Sequence, residues 1–297
     1  MPALLLALVV AVAACGGDGA ELDRAGTTAS STVPPISESS TVPDGGTSPD
    51  GGVPDTEGGS PSPGPDSTPT APSTSTPVSA PGRMSVPREG AVGAFGPWYL
   101  RADQADSIVL EVRSQSGAEP EAATVDRIRS LLAQTSGKTV TLQGGSVPGG
   151  ARQWTPSAIV AEADRTGPAQ GADAAVLTLL FVHGGLADAD QTVGVAVRSD
   201  VAAVFSDRVD EAAGPLVAST RVEAAVTTHE VGHLLGLVDL VLATGRADPE
   251  HPGHSASRGS VMYYAVESTL VGDLLTGGPP TDFDEADIAD LRAIAGR

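Results

Sequence analysis

Apolar and polar positions follow recognisable periods along the last two-thirds of the chain and none in the first third. Ser107–Val112 (SIVLEV) reads as a short strand, and Thr139–Leu142 (TVTL), after Gly137, as a second. Between them, Glu121–Gln134 carries Ala123, Val125, Ile128, Leu131 and Leu132 at the spacing of one helix face. Thr155 and Pro156 open another helix, the threonine as cap and the proline at the first helical position, running to about Thr166. Ala175–Val182 (AVLTLLFV) is unbroken apolar at strand length, the pattern of a strand buried on both faces. Val193–Val197 and Val201–Phe205 add two strands, and Pro215–Leu237 is a long helical pattern ending near Gly236. Asp282–Ala295, with Ile288, Leu291 and Ile294 on one side and acids in its first turn, closes the chain as an amphipathic helix. This order predicts an α+β fold with a mixed sheet and helices packed on it.

Composition separates that region from what precedes it. All nine aromatic residues fall after residue 94, and the five histidines begin at His183. Residues 91–297 are therefore the folded domain, of a size that carries one substantial core. Residues 16–90 hold 13 Pro, 13 Gly, 13 Ser and 10 Thr, too polar to offset the entropy of ordering, so a disordered tether is expected. Its random-coil span would be roughly 45–50 Å. Residues 3–14 (ALLLALVVAVAA) are too few to span a bilayer but suit a secretory signal ending at residue 15. The tetrad Val12-Ala13-Ala14-Cys15 resembles the bacterial lipobox, with Val12 where leucine is usual, although Met1-Pro2 brings no basic start. The resemblance implies lipidation at Cys15 and an extracytoplasmic protein anchored to the cell membrane. The alternative is a plain signal peptide and a secreted protein.

Charge and cysteine use exclude further classes. The formal net charge is −20, and Lys138 is the single lysine, which argues against nucleic acid and against anionic lipid as partners of a basic patch. With Cys15 the only cysteine, neither an intramolecular disulfide nor a cysteine-rich zinc site can form. No cysteine is left to cap a metal, and nothing in the composition calls for more than a monomer.

The chemistry concentrates in Thr228-His229-Glu230-Val231-Gly232-His233-Leu234-Leu235-Gly236-Leu237-Val238-Asp239. Residues four apart share a helix face, so His229 and His233 can bind one Zn²⁺ ion. Glu230 lies beside His229, where its carboxylate can reach a water on the metal without ligating it. Gly236 can take the left-handed conformation that ends the helix, and the turn would return Asp239 as third ligand, leaving the fourth position open. His254 and His251, in the Pro/Gly-rich segment that follows, are the alternatives for that place.

The pattern H-E-x-x-H-x-x-G-x-x-D resembles the metzincin metalloproteases, in the variant where Asp replaces a third His. Ser260-Val261-Met262-Tyr263-Tyr264, 23 residues after Asp239 at its methionine-bearing centre, is similar to the turn that places a methionine beneath the zinc in that family. The closing helix resembles that of the matrixin-like branch. The resemblance covers roughly residues 100–297 and implies a twisted mixed sheet, a long active-site helix, a Met-turn at Met262 and endopeptidase activity. It also implies a choice of roles for Tyr264, either stabilising an oxyanion near the zinc or packing. Residues Ala265–Gly278 would line the specificity pocket.

Three further features bear on function. Val193–Val197 reads either as an edge strand able to pair with an extended peptide or as an ordinary internal strand. His183, between an apolar strand and Gly184-Gly185, reads as structural. Asp188 and Asp190 could contribute to a Ca²⁺ site but match no loop motif. The expected function is a tethered zinc endopeptidase acting on protein or peptide substrates, in which Glu230 activates the water. Its rivals are a catalytically silent zinc-binding lipoprotein that holds a partner and a non-proteolytic hydrolase with the same metal site.

Overall fold

The structure, a computed structural model, describes residues 90–165, 173–215, 217–270 and 277–297. The signal segment, Cys15 and the tether up to residue 89 lie outside the described residues, as do residues 271–276 of the expected pocket loop. The elements are α1 (Gly96–Leu100), β1 (Ser107–Ser114), α2 (Ala122–Ser136), β2 (Thr139–Ser146), β3 (Arg152–Trp154) and α3 (Pro156–Asp164). They continue with β4 (Ala174–Val182), β5 (Gly184–Leu186), β6 (Gly194–Arg198), β7 (Val201–Phe205), α4 (Ser206–Ala212), α5 (Ser219–Leu235) and α6 (Glu285–Ile294).

Five strands form one sheet in the order β2-β1-β4-β7-β6. The β2, β1, β4 and β7 pairings are parallel, with Leu110 of β1 opposite both Leu142 and Leu177, and β6 alone runs antiparallel along the edge of β7. A mixed sheet was expected, but the predominance of parallel pairing makes this a mixed α/β arrangement instead of α+β. The strand–helix–strand crossovers through α2 and α3 require it, because parallel neighbours cannot be joined by a hairpin.

The solid apolar run of β4 has a direct cause. Leu177, Leu179 and Phe181 enter one core with Ile128 of α2 and Val226 of α5, while Leu180 and Val182 enter a second core with Trp154 and Ile159. Helices cover both faces, so neither parity of β4 meets water. Arg113 of β1 is fully buried and joins the second face to α3 through Nη2, 2.9 Å from Glu162 Oε1. The Thr155 hydroxyl accepts from the Ala158 amide, as expected of a cap, and Asp284 and Asp287 form a capping box on α6.

The pattern from Pro215 to Leu237 is shorter than expected. Here α5 starts at Ser219, because Ala218 before it is extended and stands at the N-cap. Beyond that break, α5 is buried along almost its whole C-terminal half, from Ala224 to Leu235. Among the described residues, no helix is long and apolar enough to cross a membrane.

Candidate metal centre

The last two turns of α5 carry His229, Glu230 and His233 on a helix enclosed by β6, α2 and the segment after Ser260. The helix ends where expected: Gly236 has φ +88°, and its N–H returns to the carbonyls of Gly232 and His233. His229 and His233 face the same space, their Nε2 atoms 3.0 Å apart. On a tetrahedral zinc with bonds of 2.0–2.1 Å, neighbouring donors stand about 3.3 Å apart, so the pair is set for one ion.

The orientation of His229 is fixed from behind. Its Nδ1 donates to the Val261 carbonyl at 2.8 Å, which leaves the Nε2 lone pair facing the cluster. Val261 belongs to the tight turn 260–263, closed by the Tyr263 amide on the Ser260 carbonyl. The Ser260 hydroxyl accepts from the Met262 amide and donates to Asp287 of α6. Met262 is fully buried, and its Sδ packs against Gly232, where an added Cβ would come within 2.3 Å of the sulfur. The Met-turn residues thus lie directly against the histidine-bearing helix.

Asp239 does not join the histidines. Val238 and Asp239 continue past Gly236 in left-handed conformations, with φ of +53° and +65°. That path turns the Asp239 carboxylate towards its own loop. There Oδ1 accepts from the Thr244 amide at 2.7 Å, the Thr244 hydroxyl at 2.6 Å and the Gly245 amide at 3.2 Å. These bonds hold its carboxyl below the ordinary range, the Thr244 hydroxyl contributing most. Asp239 organises a loop and stands outside the donor cluster.

His254 stands in the place assigned to Asp239. Its loop is pinned on both sides of the ring: Asp248 N–H donates to the His254 carbonyl at 2.7 Å, and Ser255 N–H to the Met262 carbonyl at 2.8 Å. The His254 ring stacks at 5.2 Å from that of His229 and stands edge-on to that of His233 at 5.1 Å. His251 is turned away, with Nδ1 2.9 Å from Asp248 Oδ2 and its ring stacked on Tyr264 at 3.6 Å. Tyr264 is therefore engaged with His251 and Tyr263.

A fourth donor was missed from sequence. Glu267, at the end of the 3-10 turn Tyr264–Glu267, places Oε1 3.1 Å from His254 Nε2 and Oε2 3.6 Å from His229 Nε2. One donor atom from each of His229, His233, His254 and Glu267 lies within 4.8 Å of the others. The sequence signal was a lone charged residue in the run of residues 263–272, five residues past Met262.

Burial sets the protonation of these groups. His233 is held well below its usual value by burial and then by the neighbouring His229 and His254, which keeps it in the neutral form that binds metal. Burial opposes the charge on His254, but the Glu267 carboxylate outweighs it and raises that imidazole. Burial likewise works against the Glu267 anion, and His254 and His229 hold its carboxyl below the usual range nonetheless. Glu230 is pushed well up, by burial first and by Glu267 second.

The residues fit a zinc ion. Three imidazoles and a carboxylate are a borderline-soft set that suits it. Both Glu230 oxygens and both His254 ring nitrogens are buried without a hydrogen bond of ordinary geometry. Buried polar atoms left so are rare and mark a place for an ion or a bound molecule.

The remaining candidates stand elsewhere. His183 contacts Asp207, 2.7 Å from its Nδ1, and Ser116. Asp190 is largely exposed near Arg208, and Asp188 sits in a left-handed turn. Val193–Val197 corresponds to β6, which is the edge of the sheet.

No family model matches the chain, and no curated protein matches it. Among solved structures, the chain is similar to archaemetzincin from Methanopyrus kandleri at 20% identity, over 65% of this chain and 97% of that one, with a TM-score of 0.45. It is similar to a zinc-dependent peptidase from Methanocorpusculum labreanum at 18% identity, over 61% and 99%, with a TM-score of 0.40. Archaemetzincin from Archaeoglobus fulgidus, complexed with malonate, follows at 15% identity over 62% and 99%, with a TM-score of 0.38.

Proposed function

We propose that this chain is a zinc-dependent endopeptidase of the metzincin kind, anchored outside the cell membrane through lipidated Cys15 and displayed on the tether of residues 16–90. The observation that carries the reading is the convergence of His229, His233 and His254 beside a buried Glu230 carboxylate that makes no hydrogen bond of ordinary geometry and has only the Ala196 backbone near it. A site built only to hold metal has no use for such a group, and its burial costs stability.

His229, His233 and His254 would hold the ion, which would supply polarisation of a scissile carbonyl and acidification of a water. Glu230 takes the proton from the attacking water and delivers it to the leaving amine. Its raised affinity for protons suits that return step. The Val261 carbonyl keeps His229 in the tautomer that presents Nε2. The free edge of β6, packed against α5, is the place where an extended peptide would pair alongside Glu230.

A second reading, a silent zinc-binding lipoprotein, is favoured by one observation: Glu267 offers a fourth protein donor, as closed structural sites do.

The test is cleavage of a mixed peptide library by the purified full chain, read by mass spectrometry beside Glu230→Ala. Cleavage lost in the variant and abolished by a chelator establishes the peptidase. A folded, zinc-loaded wild type that cleaves nothing favours the binding protein. Metabolic labelling with a fatty acid, present in the wild type and absent in Cys15→Ser, tests the anchor.

A further inference from the structure

We propose that Glu267 is a fourth ligand of the metal in the resting protein, held there by a backbone clamp, and that the site opens only when this carboxylate is displaced. The proposal rests on the zinc-peptidase reading of the same site and adds a gate to it.

The two carboxylates beside the histidines are placed differently, Glu230 fully buried and Glu267 half-buried. Glu230 is outside the group of converging donors, and neither oxygen makes a hydrogen bond of ordinary geometry, the Ala196 backbone alone lying near, as befits a base waiting for a substrate water. Glu267 puts one oxygen near each of two imidazole nitrogens, at 3.1 and 3.6 Å, the spacing of donors around a shared ion. The carboxylate thus lies where an attacking water would otherwise be held.

Its backbone does not wander. The Glu267 carbonyl accepts from the Val193 amide at 2.7 Å, and the Thr269 amide donates to the Gln191 carbonyl at 2.8 Å. Thr192 and Ser268 form an antiparallel bridge between these bonds. The clamp fastens the gate to the residues that lead directly into β6, the edge where a peptide would pair. An extended ligand that competes for this edge would loosen the clamp and free the carboxylate together.

Exposure gives the direction of opening. The His229, His254 and His233 side chains lie between fully buried and 8% exposed, whereas Glu267 is 18% exposed. Solvent and small anions therefore meet Glu267 before the histidines. Opening is a ligand exchange: the carboxylate leaves with its electron pair, a water oxygen takes its position, and no oxidant or reductant takes part.

The test uses Co²⁺ as a visible probe in the full chain, with azide as the competing anion. Wild type should show a cobalt spectrum insensitive to azide. Glu267→Gln should bind the metal about tenfold or more weakly and shift its spectrum on adding azide. Thr269→Pro, which deletes one clamp donor while keeping the carboxylate, should shift only at azide concentrations above those that shift Glu267→Gln. Equal affinities within twofold, or a wild-type spectrum that responds like the variant's, overturns the gate while leaving the peptidase reading intact. A folded wild type that takes up neither Zn²⁺ nor Co²⁺ overturns both.

Discussion

His229 Nδ1 and the carbonyl oxygen of Val261 are 2.8 Å apart, and this one bond couples the ligand-bearing helix to the turn that carries Met262. The imidazole can offer Nε2 to a metal only while Nδ1 keeps its proton, and the Val261 carbonyl enforces that choice. The turn is held in its own right by Ser260 and Asp287, so the orientation of a buried ligand depends on α6, which is distant in sequence.

The fit of Gly232 against Met262 is the steric side of this coupling. An alanine at 232 would gain up to about 1 kcal/mol of helix propensity. It would also push its Cβ into the methionine sulfur and the Phe283 ring, and overpacking of this kind costs about 1–3 kcal/mol. Gly232→Ala should therefore lower the denaturant midpoint. In the Met262→Ala background the same change should cost much less, because the clashing sulfur is gone. Additive effects in the double variant would show that the close contact does not limit the site.

His254, the alternative, takes the position among the histidines that Asp239 was expected to fill, and metal stoichiometry tests this exchange. His254→Ala should lose stoichiometric zinc in equilibrium dialysis. Asp239→Ala should keep it while giving up no more than about 0.5–1.5 kcal/mol of stability, since the donors of Thr244 and Gly245 are exposed and turn to water. Retention of zinc by His254→Ala together with its loss in Asp239→Ala would restore the sequence-based assignment.

That exchange marks where the sequence ceases to be readable. The α5 histidines, Glu230 and the Gly236 stop follow from helix periodicity and local turn chemistry, the turn at Met262 was expected only from the family resemblance, and the structure places these residues side by side. The path after Gly236 depends on two further left-handed residues, Asp239 and Val238, and the second is a β-branched type that gives no local warning of such a turn. His254 is placed by long-range backbone pairing of Asp248 and Ser255, and Glu267 by pairing with Gln191 and Val193. Neither has a period. The parallel sheet was hidden for a similar reason, since strand direction resides in the crossovers and not in the strands.

Tyr264 lies face to face with His251, with rings 4° from parallel, and this predicts a packing role. Tyr264→Phe keeps the ring and removes only the hydroxyl, so its kcat/KM on a cleaved peptide should stay within about twofold of wild type, well under the tenfold that 1.36 kcal/mol represents. Tyr264→Ala, which removes the stack, should release His251 and raise the exchange rates of amides in the 248–255 loop. A drop of a hundredfold or more for the phenylalanine variant alone would assign the hydroxyl to catalysis.

Away from the metal centre, His183 supplies a pH dependence with a defined sign. Its Nδ1 faces Asp207 Oδ1 at 2.7 Å and its Nε2 faces the Ser116 carbonyl at 3.3 Å. Both partners are acceptors, so the ring satisfies both only as the imidazolium. The hydrogen bond to Asp207 raises its pKa above the usual 6.5, against an opposing contribution from burial. A raised histidine stabilises the fold fully below its unfolded pKa, and that stabilisation is lost as pH rises through the folded value. Asp207 sets the lower edge of the window: burial works against its anion, yet His183 and the Gly184 amide hold its carboxyl below the ordinary range. The stability difference between wild type and His183→Gln should thus be greatest at about pH 5–6 and shrink towards alkaline pH. Metal binding also varies with pH, but it varies alike in both proteins because His183 is not a donor to the cluster. Urea unfolding of the pair across this range reads the difference directly. A difference that stays constant with pH would mean that His183 is neutral throughout and that the contact with Asp207 is an ordinary hydrogen bond.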